Sequence, residues 1–259
     1  MTLPGILLNN LGAVLVLMLV AWMLSLFRQK ACVADSFWGL GFVLIVWLSW
    51  LMSPETTRSF LVAVLISIWG LRLFSHVTTR NWGQPEDRRY KAMRRNYGRS
   101  FWWISLFSVF LLQGILLWII SLAPQLAQLS PVPDKLIWLD GLGLFVFATG
   151  FIFETVSDYQ MKRFRSNPDN NGKVMDQGLW GYSRHPNYFG ESLIWWGIFI
   201  IALATPYGWW AIISPVLITI LLLRVSGITM LEKDISKRRP EYERYKGEVS
   251  AFIPWFRAR

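Results

Sequence analysis

Cysteine and histidine are nearly absent from this 259-residue chain, which holds Cys32 alone and two histidines, His76 and His185. A single thiol excludes an internal disulfide and any multi-cysteine metal centre, and two imidazoles exclude a histidine-rich di-iron site. There is no Gly-x-Gly-x-x-Gly after a strand and no Gly-Lys-Ser/Thr loop, so a nucleotide would have to be held without a Rossmann or P-loop unit. No internal repeat of the transporter kind and no low-complexity tract occurs. The longest polar pieces, 164–181 and the tail from Glu232, are each too short for a core of their own. Acidic residues are scarce as well, 16 against 26 Lys and Arg, which leaves a net charge of +10.

What the chain has in abundance is apolar surface: 54% of residues are hydrophobic, 16% aromatic, and the mean hydropathy is +0.37. Long apolar runs occur at about 5–27, 34–52, 59–77, 101–122, 136–153, 188–204 and 207–228. A membrane-crossing helix takes roughly 20 mostly apolar residues, so these runs predict an all-α integral membrane protein with seven transmembrane helices. The first run lacks a basic leader and ends in Arg28-Gln29-Lys30 where a signal peptide would have small residues, so it reads as a retained helix. Basic residues crowd 28–30, 80–99, 162–184 and 233–259, while the intervening loops hold only Arg58 and Lys135. By the positive-inside rule the N-terminus lies outside and the C-terminus in the cytoplasm. Arg88, Arg89, Lys91, Arg94 and Arg95 read mainly as topology and attraction to anionic lipid. Nucleic-acid binding is not indicated.

The polar stretch 178–191, Gly-Leu-Trp-Gly-Tyr-Ser-Arg-His-Pro-Asn-Tyr-Phe-Gly-Glu, turns into a helix at Pro186, since proline suits the first turn. Free N–H groups at a helix start, with Arg184 and His185 beside them, form an anion site, and phosphate is the first anion to consider. Beyond the turn, Arg184, Asn187, Tyr188 and Glu191 recur at helical spacing.

Ionisable residues at membrane depth cost at least about 2.5 kcal/mol near the centre, so each is a site hypothesis. Asp35 opens the second helix with Trp38, Gly39 and Phe42 on its face, an acid on an aromatic surface that suits a flat apolar ligand; the alternative is an interfacial helix cap. On the third helix Trp69, Arg72, His76 and Arg80 form a stripe that runs into Asn81. On the fifth, Glu154 and Asp158 share a face, followed by Lys162 and Arg165; they suit sugar hydroxyls or an amide, or else Asp158 pairs with Lys162. On the seventh, Arg224, Ile228 and Glu232 share a face. The cations Arg80, Arg165, Lys173, Arg184 and Arg224 suit a ligand with several negative charges, such as a phosphorylated dinucleotide. Trp22, Phe37, Trp38, Phe42 and Trp47 supply either a lipid-side route for a sterol or an ordinary interfacial belt.

The residues Ser157-Asp158-Tyr159, Gly178-Leu179-Trp180 and Arg184-His185-Pro186-Asn187-Tyr188-Phe189-Gly190-Glu191 resemble the steroid 5α-reductase family and its bacterial relatives. Arg80-Asn81-Trp82-Gly83, Glu86-Asp87-Arg88-Arg89-Tyr90 and Phe252-Ile253-Pro254-Trp255 look like the same relatives. The resemblance covers roughly 67–255. The isoprenylcysteine methyltransferases share an Arg-His-Pro-type turn, but their tail has a Glu-Glu pair where this chain reads Leu231-Glu232-Lys233.

What the resemblance implies is one membrane domain, 1–259, with helices 1–3 (1–79) toward substrate and 80–259 toward cofactor. It implies NADPH-dependent reduction of the C4–C5 double bond of a 3-oxo-Δ4-steroid or a related enone lipid. By motif, Asn81 matches a cofactor-contacting Asn, Asp158 an Asp on the ribose side, and Arg165 and Lys173 phosphate contacts. Asn187 and Glu191 match a pair holding the nicotinamide amide, and Arg224 an arginine by the pyrophosphate; Arg72, Arg80, Arg184, His185 and Tyr188 complete the expected cofactor set. Glu154 stands where the animal enzymes have Asn, and Ile228 where they have His, which puts cofactor contacts there in doubt. Asp35 is the expected catalytic residue, as a protonated carboxyl polarising the enone carbonyl, with Trp38, Phe42 and Trp69 toward substrate. The animal enzymes resemble this with a Glu on the second helix and a Tyr on the third, where this chain has no Tyr, leaving Trp69, His76 or water as its partner. No metal is expected. The cofactor side faces the cytoplasm, in the inner membrane of a bacterium or the endoplasmic reticulum of a eukaryote. The rivals are an S-adenosylmethionine-dependent membrane methyltransferase and a seven-helix transporter or receptor.

Overall fold

A computed structural model describes residues 2–225, 227–232, 235 and 239–258; Lys233 of the tail motif lies outside them. Among the described residues the architecture is helical, with one isolated parallel bridge between Ser183 and Ser250. Six helices are long and apolar enough to cross a membrane: Leu3–Arg28, Val33–Met52, Thr57–Asn81, Arg88–Ile120, Trp138–Ser166 and Gly208–Glu232. The chain is therefore a multi-pass integral membrane protein. The remaining apolar run forms Pro186–Ala202, a helix of 17 residues at the lower bound of spanning length.

The chain packs as two units, Met1–Ile137 with Ala202–Ile213, and Trp138–Ile201 with Ser214–Arg259.

In the first unit, α1 (Leu3–Arg28) begins with a proline in its first turn and stops where Gln29 turns left-handed at φ 54°. Helix α2 (Val33–Met52) packs on α3 (Thr57–Asn81), whose start is fixed by a capping box between Thr56 and Ser59. The two backbones touch at Gly39 and Gly70: a Cβ on Gly39 would lie 2.4 Å from the Gly70 carbonyl oxygen. Polar groups inside pair with one another, as an apolar interior requires. Asn10 donates to Ser49 and to Gln125, both at 2.8 Å, and Gln128 donates to the carbonyls of Val46 and Ser59. Arg58, read from sequence as a loop cation, is 1% exposed and donates to the Pro133 and Lys135 carbonyls.

Helix α4 (Arg88–Tyr97) has five basic residues in ten and ends at Gly98, whose φ of +52° only glycine adopts easily. Helix α5 (101–120) follows, α-helical over Phe101–Ser105 and Leu112–Ile120 with a π segment, Leu106–Leu111, between them. In one straight helix Tyr90 and Gln113 would stand about 34 Å apart. Their side chains meet at 3.1 Å, so the chain folds back at Gly98 and lays α4 beside the apolar helix. Helix α6 (Leu122–Leu129) completes the unit together with the 3-10 turn Gly208–Ile212.

In the second unit, α7 (Trp138–Ser166) and α8 (Pro186–Ala202) approach through glycines spaced seven apart on each helix, Gly143 and Gly150 against Gly190 and Gly197. A Cβ on Gly150 would lie 2.5 Å from the Gly190 oxygen, and one on Gly190 would lie 2.5 Å from the Glu154 nitrogen. Small residues let membrane helices gain packing by close backbone approach. Helix α9 (213–225) is α-helical to Ile220 and π-helical over Leu221–Val225; Thr219 on it bonds Ser192 of α8 at 2.9 Å. Helices α10 (Ile228–Glu232) and α11 (Glu241–Glu248) lead to a tail that lies along 182–184.

Candidate functional site

Two polar clusters carry chemistry, one in each unit. In the first, the Tyr90 hydroxyl donates to Asp35 Oδ1 at 2.6 Å and the Arg89 guanidinium donates to Asp35 Oδ2 at 3.1 Å. Gln113 of α5 donates to the Tyr90 oxygen at 3.1 Å and approaches Asp35 Oδ1 at 3.5 Å. Asp35 thus sits in the first turn of α2 and is met by α4 and α5. Its two carboxyl oxygens accept from both side chains and organise the donors around it. Arg89 is positioned in turn by Asp87, which caps α4 through the Arg89 amide and meets the Arg89 Nε at 3.0 Å. Beside the cluster, burial and then the Asp35 charge push the Cys32 thiol up, which keeps it unreactive.

The expected substrate residues form one aromatic chain: Trp38 to Phe42 and Phe42 to Trp69, each at 5.5 Å between centroids. Phe42 and Trp69 are both 0% exposed, so they pack α2 against α3, and Trp38 alone of the three is partly accessible. Arg72 and His76 are half-buried on α3, while Arg80 is exposed and reaches Asn81 Oδ1 at 3.5 Å. All these residues lie in the first unit.

The second cluster centres on Glu232. Arg184 donates to its two carboxylate oxygens at 2.9 and 3.1 Å, His185 Nε2 lies 2.9 Å from Oε1, and Tyr242 donates to Oε1 at 3.0 Å. The third Arg184 nitrogen donates to the carbonyls of Lys246 and Val249, and its amide donates to the Ser250 carbonyl. All three guanidinium nitrogens are therefore engaged within the protein. Burial disfavours the Arg184 charge, but hydrogen bonding and the Glu232 charge outweigh it and hold the guanidinium protonated. Burial, then the Glu232 charge, raises the Tyr242 phenol, which stays a donor. His185 stacks on Tyr188 at 5.6 Å, and its amide is taken by the Ser183 hydroxyl at 3.1 Å. The helix start expected to bind phosphate thus spends the Arg184 and His185 donors on Glu232, Ser183 and the tail.

On the adjoining helices Asn187 donates to Asp158 Oδ1 at 3.3 Å, joining α8 to α7. Glu154 is buried at 3% exposure under Gly190, Glu191 is half-buried on α8, and Arg165 and Arg224 are exposed. Lys173 borders a cleft of about 290 Å³ with Phe164, Asn170, Asp176, Arg244 and Tyr245. Among the described residues no group of three or more His, Cys, Asp or Glu side chains is arranged to hold a metal ion.

Sequence reasoning missed Tyr90, Gln113 and the hub role of Glu232. Tyr90 lies within the quoted motif 86–90, and Glu232 within the tail motif, but their partners are distant in sequence and no spacing rule connects them.

Over residues 21–249 the chain matches the model of a family described as "Protein of unknown function (DUF1295)". A stretch of 46 residues is 44% identical to the probable O-methyltransferase ustE of Ustilaginoidea virens, covering 18% of this chain and 16% of that protein. No solved structure matches. The chain belongs to the DUF1295 family, membrane proteins related to the steroid 5α-reductases and to methyltransferases.

Proposed function

We propose that the protein is an NADPH-dependent reductase of the carbon–carbon double bond of an enone lipid such as a 3-oxo-Δ4-steroid. The observation that carries this reading is the 2.6 Å hydrogen bond from Tyr90 to Asp35, with Arg89 on the other carboxylate oxygen. The resemblance called for an acid and a tyrosine together, and the tyrosine missing from α3 is supplied by α4. When an enone accepts hydride at its β-carbon, negative charge develops on the carbonyl oxygen, and prepositioned donors stabilise it. Arg89 keeps N–H groups for that role, and the Tyr90 hydroxyl becomes such a donor when its proton turns from Asp35 to the carbonyl oxygen. In this arrangement Asp35 positions both donors through its two carboxyl oxygens, and the carbonyl-polarising role read for it from sequence remains part of the proposal. The α-carbon takes its proton from solvent.

The cofactor set fits in part. Asn187 and Asp158, already bonded to each other, offer an amide and a carboxylate for the nicotinamide amide and a ribose hydroxyl, with Glu191 on the same helix as Asn187. The cleft bordered by Lys173 and Arg244 is at the small end of ligand pockets, which run from about 300 Å³, and Asp176, Glu241 and Glu248 also line it, so it does not favour a phosphate. Arg184 is committed to Glu232 and is not a phosphate ligand in this reading; Arg165 and Arg224 remain as exposed cations. The cofactor, when bound, supplies the hydride. The proposal includes Pro186–Ala202 as a seventh span, an outside N-terminus and a cytoplasmic cofactor side, supported by the placement of Lys and Arg in alternate loops.

A methyltransferase using S-adenosylmethionine is the second reading. The local likeness to ustE favours it. Releasing the nucleotide from detergent-purified protein by denaturation, then identifying it by mass spectrometry, separates the two. NADPH or NADP⁺ at near-stoichiometric amount supports the reductase; S-adenosylmethionine or its demethylated product overturns it.

A further inference from the structure

The five basic residues of α4 sort into two sets. Two are neutralised inside the first unit: Arg89 by Asp35 and Asp87, and Arg94 by both oxygens of Glu86 at 3.0 and 3.1 Å, with a further bond to the Gln29 carbonyl. These lie on the side of Tyr90, which is 5% exposed. The other three, Arg88, Lys91 and Arg95, recur at offsets of three and four, so they form one stripe, and all are exposed. Among the described residues their side chains have no ion pair or hydrogen bond. The nearby carboxylates, Asp35, Glu86 and Asp87, already serve Arg89 and Arg94.

What lies next to the stripe identifies its partner. Only Gly98, Arg99 and Ser100 separate α4 from the apolar helix that begins at Phe101. Trp82, Tyr97, Trp102 and Trp103 flank it, each between 46% and 63% exposed, and Arg28 lies 4.3 Å over the Trp82 ring. Exposed Trp and Tyr beside cations at the end of an apolar helix mark the headgroup level of a bilayer. An acidic soluble protein would match the charge but not this aromatic border.

We propose that α4 is an interfacial helix whose outer stripe, Arg88, Lys91 and Arg95, is seated on anionic lipid headgroups, so that lipid charge helps hold Tyr90 and Arg89 against Asp35. Each cation near an anionic surface favours the seated helix, and salt screens that gain. The inference rests on the membrane placement of the first unit and not on the reaction proposed above.

The test compares backbone hydrogen exchange of α4 in nanodiscs of phosphatidylcholine with nanodiscs of an equal mixture of phosphatidylglycerol and phosphatidylcholine. The α4 amides exchange roughly tenfold or more slowly in the anionic discs, and about 1 M salt removes the difference. The triple variant Arg88→Gln, Lys91→Gln, Arg95→Gln exchanges alike in both. Equal exchange of the unaltered protein in the two lipids overturns the proposal, and so does lipid-dependent protection that persists in the triple variant. The lipid and salt comparison on the unaltered protein decides the matter even if the variant does not fold.

Discussion

Tyr90 and Asp35, 55 positions apart in sequence, share a 2.6 Å hydrogen bond because α4 folds back at Gly98 and returns a basic, amphipathic helix to the first turn of α2. Under the reductase proposal this bond orients the hydroxyl that meets the substrate carbonyl. Tyr90→Phe keeps the ring and removes the donor. Turnover of a 3-oxo-Δ4-steroid, followed by NADPH oxidation, falls about 100-fold, as for loss of one oxyanion donor, with NADPH affinity unchanged. Full turnover in this variant rules Tyr90 out of the chemistry.

Cofactor contacts are assigned to the other unit. Asn187→Ala removes the bond to Asp158, and Glu191→Gln removes a charge from the same helix; both abolish NADPH binding, measured by fluorescence titration, while thermal unfolding remains cooperative. Unchanged affinity in both variants removes the nicotinamide assignment.

Glu232 is the counter-ion of a guanidinium only 8% exposed. Glu232→Gln leaves Arg184 charged and short of its carboxylate, a loss of about 3–5 kcal/mol for a buried pair broken on one side. The paired change Arg184→Met with Glu232→Leu recovers part of that loss in a detergent melt. Equal stability of Glu232→Gln and the unaltered protein would show the cluster to be energetically silent.

The phenol of Tyr242 is raised above its ordinary value by burial and then by the Glu232 charge. A group raised on folding contributes stability that is complete below its unfolded pKa, about 10, and is lost as pH climbs through the folded value. The Tyr242 contribution is therefore flat between pH 6 and 9 and declines only in strong alkali. Tyr242→Phe, compared with the unaltered protein across that range, shows a constant difference that shrinks above about pH 10.

At the α7–α8 seam the neighbours of a new methyl group are backbone atoms, which cannot move aside. Gly150→Ala destabilises by about 1–3 kcal/mol. Gly141→Ala, on the same helix with nothing within 4 Å of its Cβ, is neutral or stabilising by about 0.5–1 kcal/mol. Equal melting temperatures for the two variants would refute the close approach.

Arg184 and His185 stand out in sequence as cations at a helix start, and a helix start favours anions. The anion they meet is Glu232, because α10 brings a carboxylate to them from 47 residues downstream of His185. Phe42 and Trp69 read as a ligand surface, yet both are enclosed where Gly39 and Gly70 let α2 and α3 close together. The four glycines at 143, 150, 190 and 197 carry no hydrophobic signal, although each pair is spaced by seven residues in the sequence.

Hydropathy and charge alone establish an all-helical membrane protein, the position of its apolar runs and the crowding of cations into alternate loops, because lipid demands apolar length and membranes sort Lys and Arg. Those properties are local and additive along the chain. Which donors surround Asp35, which carboxylate neutralises Arg184 and which of the α4 cations are paired are matters of tertiary structure. Each depends on a backbone turn or a glycine contact that places residues distant in sequence within 3 Å, and hydrogen bonds and ion pairs exist only at that range.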